Sequence, residues 1–244
     1  MQISIVIPVK NCSIMLDSCL ESFYPINNKL GEIIIMDCCS VDGIYPVIES
    51  HKFLPIKHIR GHDLGIYDAF NKGISVANFP IVFFLGADDS INRDIYDAVN
   101  HFDEETDILV GRITKGAMVE QWTPWLAGIH LLFRNIPHQA MLFRKHVLIE
   151  RPYSLKYPIL SDYAWNIQNF WSTSLNIKYT SLVFSDWNQT GISNTSVDFI
   201  FKRDKSGLIS TNSPIKVRVV YFLCKLPSKI LSHCSILIKT LKMK

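Results

Sequence analysis

Short apolar runs recur along the first 112 residues of the chain, and segments with helical spacing separate them. Nearly continuous Ile- and Val-rich runs are typical of strands that are buried on both faces of a parallel sheet. Their alternation with helices predicts an α/β fold, an open and mostly parallel sheet flanked by helices. The predicted strands are 3–9, 32–37, 56–61, 81–87 and 107–112. The predicted helices are 13–24, 43–52, 66–78 and 91–101, with Ser13 capping the first and Ser90 the last.

The pattern changes after residue 112. All five tryptophans lie between residues 122 and 187, among several prolines. We predict helices over 124–134 and 161–171 in this part, with mixed strands around them that close over the edge of the sheet. A region of this kind often shapes a binding cleft.

The charge distribution separates the end of the chain from the rest. From residue 202 to 244 there are ten Lys and Arg and one acid, whereas the preceding part carries 15 basic and 21 acidic residues. After Pro227, six apolar residues recur at helical spacing, which predicts an amphipathic helix: Ile230, Leu231, Cys234, Leu237, Ile238 and Leu241. This helix either packs on the domain with a solvated lysine edge or lies on an anionic lipid surface, and we adopt the second as a hypothesis.

The six cysteines form no C-x-x-C pattern, so free thiols in a reducing cytoplasm are the simplest interpretation. The first residues lack the charged segment and cleavage site of a secretory signal. No run of about 18 apolar residues without charges is present, so no transmembrane helix is predicted. We expect a cytoplasmic protein that associates peripherally with the inner face of the plasma membrane through its basic end.

Acidic residues follow two of the predicted strands. Asp37 ends the second strand, and Asp88 and Asp89 follow the fourth. Ligands of open α/β sheets bind at the carboxyl ends of the strands, so these acids are expected at one edge. A single acid there is more often a turn or helix cap, but several together favour Mg²⁺ or Mn²⁺ with substrate phosphates. The chain has neither a P-loop nor a G-x-G-x-x-G fingerprint.

Four motifs in order along residues 2–90 resemble family 2 glycosyltransferases of the GT-A fold, in particular bacterial members that build capsule, O-antigen and exopolysaccharide. They are "SIVIPVKN", "EIIIMDCCSVDG", "GIYDAFNKGI" and "FLGADD". Each motif alone is weak, whereas the ordered set is specific. "HQAMLF" (138–143), "ILSDYAW" (159–165) and "GIS" (191–193) extend the resemblance.

The resemblance implies a role for each matching position. Asp88 would hold the Mn²⁺ or Mg²⁺ ion that bridges the donor diphosphate, and Asp162 would be the catalytic base. His138 and Gln139 would line the acceptor or diphosphate side. The remaining nucleotide-sugar contacts would come from Pro8, Val9, Asn11, Asp37, Asp68, Lys72, Ala87 and Asp89.

On this basis we divide the chain into three parts. Residues 1–112 would bind the nucleotide sugar, residues 113–200 would supply the acceptor side and the base within the same domain, and residues 201–244 form a basic amphipathic extension. The partners implied are a nucleotide-sugar donor, with uridine the expected base, a saccharide or lipid-linked acceptor, and an anionic membrane, with no nucleic acid. The implied role is inverting transfer in surface polysaccharide synthesis.

Two departures from the family pattern bear on these roles. Gly86 stands where the family has the first acid of its D-x-D element, and Cys38 and Cys39 replace residues that are usually Asp and Gly. The first departure leaves fewer protein ligands for a metal.

Several alternatives stay open at this stage. Ser161 or Asp162 could be a helix cap, His138 a structural hydrogen-bonding residue, and Asp68 with Lys72 a solvated helix start. For the whole chain, the alternatives are a degenerate, non-catalytic binding protein, which Gly86 favours, and a metal-dependent nucleotidyltransferase. The second would need a Gly-rich triphosphate loop, and "PVKNCS" contains no glycine.

Overall fold

The computed structural model describes residues 2–29, 31–188 and 196–225. The predicted "GIS" element and the helix after Pro227 lie outside these residues. Within them the strands are β1 Ile3–Val9, β2 Glu32–Asp37, β3 Ile56–Arg60, β4 Ile81–Phe84, β5 Ser90–Ile91, β6 Ile108–Lys115, β7 Met118–Glu120, β8 Met141–Arg144 and β9 Ile177–Asp186.

The helices described alternate with these strands and then dominate the end of the chain. They are α1 Ser13–Glu21, α2 Ile44–Ser50, α3 Ile66–Val76, α4 Asp94–Asn100, α5 Pro124–Phe133, α6 Lys145–Glu150, α7 Ser161–Asn169, α8 Phe199–Asn212 and α9 Ile215–Lys225. Two 3₁₀ segments, Tyr24–Lys29 and His138–Ala140, complete the elements. None of the helices described is long and apolar enough to span a bilayer.

The strands form one mixed sheet in the order β3-β2-β1-β4-β8-β6-β9-β5, with β7 paired to β6. The neighbours β3, β2, β1 and β4 are parallel, whereas β8 runs antiparallel between β4 and β6. The predicted α/β class with a mostly parallel sheet is therefore confirmed. β6 crosses residue 112, so the sheet continues through the boundary predicted there, and the functional division of the chain stays a prediction.

Alternate strand residues pack into two hydrophobic layers, as expected for strands covered on both faces. Ile5, Ile33 and Phe83 face the layer that contains α1 and α4. Val6 and Phe84 face the opposite layer, which contains α3, α6 and α7. The central strands β1, β2, β4 and β8 are thus covered on both faces, and the polar chemistry is expected at the edges of the sheet.

Both predicted helix caps are wrong. Cys12 occupies the N-cap position of α1 without a side-chain bond, and the Ser13 N–H donates instead to Asp42 Oδ2 at 2.7 Å. Ser90 lies in β5 and pairs with Asp186 of β9, so α4 starts only at Asp94. At α1 a tertiary contact replaces the predicted cap, whereas at α4 the Asp94 N–H donates to the side chain of Asn92 at 3.1 Å.

Candidate active site

The candidate site lies at the carboxyl ends of β1, β2 and β4, where the strand order reverses. β2 and β3 lie on one side of β1 and β4 lies on the other, so β1 and β4 flank the topological switch point. In open α/β sheets this is the place where ligands bind.

The loops after β1 and β2 are locked to each other by hydrogen bonds. The Asn11 N–H donates to Ser40 Oγ at 2.9 Å, and the Val41 N–H donates to Asn11 Oδ1 at 2.9 Å. Asn11 and Cys39 both adopt left-handed backbone conformations, with φ of 50° and 53°. Asn tolerates this region well, whereas Cys does so less often. Pro8 and Val9, the last residues of β1, lead directly into this rigid pair of loops.

Asp37 ends β2 as a buried carboxylate with three donors around it. The Ser40 N–H donates to Oδ1 at 2.8 Å, and Oδ2 lies 3.3 Å from His58 Nε2 and 3.4 Å from Arg60 Nη1. Burial raises the pKa of Asp37, but hydrogen bonds from Ser40 and His58 outweigh it and leave the pKa below its ordinary value. The residue is therefore held ionised at the carboxyl end of β2.

Asp88 and Asp89 follow β4 in very different environments. Asp89 is 2% exposed and accepts from the Gly86 N–H at 3.2 Å, from Gln139 Nε2 at 2.8 Å and from the Asn188 N–H at 2.9 Å. Burial raises the pKa of Asp89 to about 6. Asp88 is only half-buried, and no hydrogen bond or ion pair joins its carboxylate to the residues that the structure describes. Ala87, which lies between Gly86 and Asp88 in the sequence, is buried.

The glycine at position 86 is explained by the two carboxylates after it. A Cβ added at Gly86 would lie 2.7 Å from Asp88 Oδ1 and 2.7 Å from Asp89 Oδ2. That is closer than real Cβ contacts, so either carboxylate would have to move. The carboxylates of Asp88 and Asp89 thus occupy the space that a side chain at position 86 would need.

Asp162 lies in the first turn of α7 and is 5% exposed. Its Oδ1 accepts from Tyr67 Oη at 2.9 Å and from the Tyr163 N–H at 2.7 Å, and its Oδ2 lies 3.2 Å from His138 Nδ1. Leu160 occupies the N-cap of α7 without a side-chain cap bond, so neither Ser161 nor Asp162 caps the helix. The carboxylate is instead oriented from two sides by α3 and the 138–140 turn.

Asp68 and Lys72 pair with each other at the start of α3. Lys72 Nζ donates to Asp68 Oδ2 at 2.7 Å and to the His62 carbonyl at 2.8 Å, and Asp68 also accepts from the Leu64 N–H at 2.9 Å. The hydrogen bond to Asp68 raises the pKa of Lys72, with smaller effects from Asp63 and Cys38. These two residues therefore fasten the 62–65 loop next to the β2 loop.

Sequence reasoning missed several residues that connect the predicted ones. The thiol of Cys12 lies within electrostatic reach of Asp42, Asp88 and Asp37, and these carboxylates add to the rise in its pKa that burial causes first. His58 and Arg60 reach Asp37 because β3 pairs with β2 in a register that sets Arg60 opposite Asp37. That register cannot be read from either strand alone.

The residues at this edge fit a divalent metal that is shared with a substrate. No group of three or more His, Cys, Asp or Glu side chains suited to a metal occurs in residues 2–29, 31–188 and 196–225. Mg²⁺ and Mn²⁺ sites of phosphate-handling enzymes often use one or two carboxylates and take the other ligands from phosphates and water. Asp88, whose carboxylate has no partner among residues 2–29, 31–188 and 196–225, suits that arrangement.

This fold, with acids at the switch point, is that of GT-A glycosyltransferases. S. aureus TarS in complex with UDP-GlcNAc superposes with a TM-score of 0.71 at 16% identity, over 94% of this chain and 77% of that one. Glucosyl-3-phosphoglycerate synthase from Mycobacterium tuberculosis, in complex with Mn²⁺, UDP and glucosyl-3-phosphoglycerate, gives 0.57 at 14% identity, over 86% and 80%.

The sequence comparisons give the family. The model of glycosyl transferase family 2 matches residues 4–160. A PGL/p-HBAD biosynthesis glycosyltransferase of Mycobacterium tuberculosis is 30% identical over 247 residues, covering 96% of this chain and 94% of that protein. The chain belongs to glycosyl transferase family 2 and is a glycosyltransferase, which confirms the predicted family and enzyme class.

Proposed function

We propose that this glycosyltransferase moves a sugar from a nucleotide-sugar donor, with a UDP-sugar as the first candidate, to the hydroxyl of a saccharide or lipid-linked saccharide. The observation that supports this most is the pair of acids at one sheet edge. Asp88 has no hydrogen-bond or ion-pair partner among the described residues, and Asp162 is buried and oriented. Transfer of a sugar from a diphosphate needs a group at each of these positions.

The donor side of the proposal uses the rigid loops and Asp37. Asp37, ionised and buried, would accept from the nucleobase, and Pro8, Val9 and Asn11 would frame the base. TarS, whose fold this chain shares, was crystallised with UDP-GlcNAc, which makes uridine the first base to test. Asp68 and Lys72 would border the ribose and diphosphate through the 62–65 loop.

The chemistry needs charge neutralisation at the diphosphate and a base at the acceptor. A Mn²⁺ or Mg²⁺ ion held by Asp88, with Asp89 behind it, would neutralise the charge that develops on the leaving diphosphate. Asp162 takes the proton of the acceptor hydroxyl. The acceptor oxygen then forms its bond to the anomeric carbon with the freed electron pair, and the bond from that carbon to the diphosphate oxygen breaks, with its pair leaving on the diphosphate. One base and one displacement invert the anomeric centre.

A panel of sugar nucleotides tests the proposed reaction. The full chain is incubated with each UDP-, GDP- and dTDP-sugar and Mn²⁺, and mass spectrometry follows hydrolysis or transfer. We expect one donor to be consumed far faster than the rest. A folded chain that consumes none would instead support the second candidate, a non-catalytic nucleotide-binding protein, which the missing acid at Gly86 favours.

The basic end of the chain supports a membrane-bound acceptor within this proposal. No Asp or Glu follows Asp204, whereas eight Lys and Arg do. On α9 the exposed positions include Ile215, Val219 and Phe222 beside Lys216. Apolar residues flanked by lysines bind anionic bilayers, and each basic residue near the surface contributes about 1 kcal/mol. We therefore propose peripheral association with the cytoplasmic face of the plasma membrane, and a role in surface polysaccharide synthesis.

Vesicle flotation of the full-length protein tests the membrane part. We expect the chain to float with phosphatidylserine-containing vesicles and not with pure phosphatidylcholine. A variant with Lys229, Lys239, Lys242 and Lys244 all changed to Gln should float much less. Equal flotation of both proteins with anionic vesicles would remove the basic end from the proposal.

A further inference from the structure

The buried dipeptide His138–Gln139 contacts both acidic groups of the proposed reaction. His138 Nδ1 lies 3.2 Å from Asp162 Oδ2, and Gln139 Nε2 donates to Asp89 Oδ2 at 2.8 Å. We infer that these two residues position the base and the metal corner relative to each other. This inference rests on the proposed function.

The turn that carries the two residues is well placed for such a task. β8 runs antiparallel to β4, so the start of β8, directly after the turn, lies at the carboxyl edge. The turn is held by its own bond from the Ala140 N–H to the Pro137 carbonyl at 2.9 Å and by Ser185 Oγ, which donates to the Gln139 carbonyl at 3.1 Å. One short, fixed segment therefore spans from the first turn of α7 to the loop after β4.

The hydrogen bonds of His138 and Gln139 differ from those of ordinary buried core residues. Buried polar side chains in cores usually have all their polar atoms paired. Here His138 Nε2 and Gln139 Oε1 are buried with no partner within the residues described. Each side chain therefore has a single hydrogen-bond partner, and in both cases that partner is a carboxylate of the site.

The two carboxylate oxygens of Asp162 have different hydrogen-bond partners, and this difference indicates which atom donates in the contact with His138. Oδ1 already accepts from Tyr67 and from the Tyr163 N–H, whereas among the described residues only His138 Nδ1 faces Oδ2. Because a carboxylate can only accept, Nδ1 carries the hydrogen while Asp162 is ionised. Oδ2 keeps a free lone pair for the acceptor proton, and His138 fixes where that lone pair points.

On the metal side, Gln139 holds Asp89 in place and thereby affects the position of the neighbouring Asp88. Asp89 is held by Gln139, by the Gly86 N–H and by the Asn188 N–H, so its backbone fixes the position of Asp88. Groups that orient a metal ligand typically change metal affinity by about 10–100-fold when they are removed. The reaction rate also depends on the distance between the base and the diphosphate, since misplacement by about 1 Å can lower the rate by about 10²-fold.

Four variants of the full chain test the inference. Gln139→Met keeps length and loses the donor to Asp89, His138→Leu loses the contact to Asp162, and His138→Asn restores a donor near Nδ1. Ser4→Ala removes a buried hydrogen bond at the opposite sheet edge and serves as the control for a general loss of stability. For each we measure thermal unfolding, binding of UDP with and without Mn²⁺ by calorimetry, and turnover with the donor found in the panel.

We expect the two positions to affect different parameters. Gln139→Met should weaken Mn²⁺-dependent UDP binding by about tenfold. His138→Leu should leave UDP binding within about twofold and lower kcat by about 10²-fold, with much of the loss recovered in His138→Asn. Ser4→Ala should lower the unfolding temperature and leave both parameters alone.

Other results would overturn the inference. If Gln139→Met binds UDP and Mn²⁺ like the wild type, or if the His138 variants lower binding and turnover by equal factors, the turn is only structural. A wild-type chain without turnover would count against the proposed function. The calorimetric comparison would still decide the metal side, because it needs no reaction.

Discussion

The two edges of the same sheet both carry carboxylates, but they differ in how completely these carboxylates are paired. At the amino edge, Glu32 accepts from Ser4 Oγ at 2.6 Å, from the Asn78 N–H at 2.5 Å and from Asn78 Nδ2 at 2.8 Å. At the carboxyl edge, Asp88 has no such partner within the residues described, and Asp162 keeps one oxygen partly free. The amino edge thus pairs Glu32 completely, whereas the carboxyl edge pairs Asp37 and Asp89 but leaves acceptor capacity at Asp88 and Asp162.

The largest effect should come from the base. Asp162→Asn keeps the shape of the side chain and its bond from Tyr67 but cannot take a proton. We expect turnover to fall by about 10²–10⁴-fold while Mn²⁺-dependent UDP binding stays unchanged. Steady-state kinetics and calorimetry on the same preparation check this. Near-normal turnover would show that Asp162 is not the base.

The acid at the amino edge should matter for stability alone. Glu32→Ala leaves the buried hydroxyl of Ser4 without its acceptor and removes two bonds from the exposed Asn78, and we expect the free energy of unfolding to fall by about 1–3 kcal/mol. Urea unfolding measures this, and kcat per folded molecule should not change. The exposed Glu49→Ala is the matched control, with a change within about 0.5 kcal/mol. A selective loss of kcat in Glu32→Ala would contradict the contrast between the edges.

The raised pKa of Asp89 predicts a pH dependence with a definite sign. In the folded state the pKa of Asp89 is about 6, so the carboxyl keeps its proton up to that pH, whereas the ordinary pKa of Asp is 3.8. Stability from this group is therefore greatest below about pH 4 and is lost as pH rises towards 6, by about 2–3 kcal/mol. Urea unfolding in EDTA from pH 4 to 7 should show this slope in the wild type and not in Asp89→Asn. Equal slopes would contradict a buried, costly charge at Asp89.

The smallest effect concerns the helix start that the sequence misassigned. Asp42→Ala removes the carboxylate that accepts from the Ser13 N–H, and we expect a loss of about 1 kcal/mol in unfolding free energy. Ser90→Ala, at the other predicted cap, should change it by less than about 0.5 kcal/mol. A larger loss of unfolding free energy in Ser90→Ala than in Asp42→Ala would contradict this assignment and favour Ser90 as a helix cap.

The sequence predicted the fold well in the first 112 residues, where apolar runs alternate with helical segments. Five of the strands and the helices between them follow from alternating apolar runs, and the acids after β2 and β4 follow from the rule for open sheets. What stayed hidden depends on tertiary register: the pairing that brings Arg60 to Asp37, the crossing of β8 that brings His138 to Asp162, and the bond from Asp42 to Ser13. Gly86, which looked like a missing ligand, became intelligible only from the positions of Asp88 and Asp89.

The central claim is that the carboxyl edge binds a nucleotide diphosphate through a cation at Asp88. Calorimetric titration of UDP into the full chain, with Mn²⁺ and with EDTA, tests it most directly, and Asp88→Asn is the comparison. We predict that Mn²⁺ strengthens UDP binding at least tenfold in the wild type and not in Asp88→Asn, with equal unfolding temperatures. The same Mn²⁺ effect in both proteins, or none in the wild type, would contradict the claim.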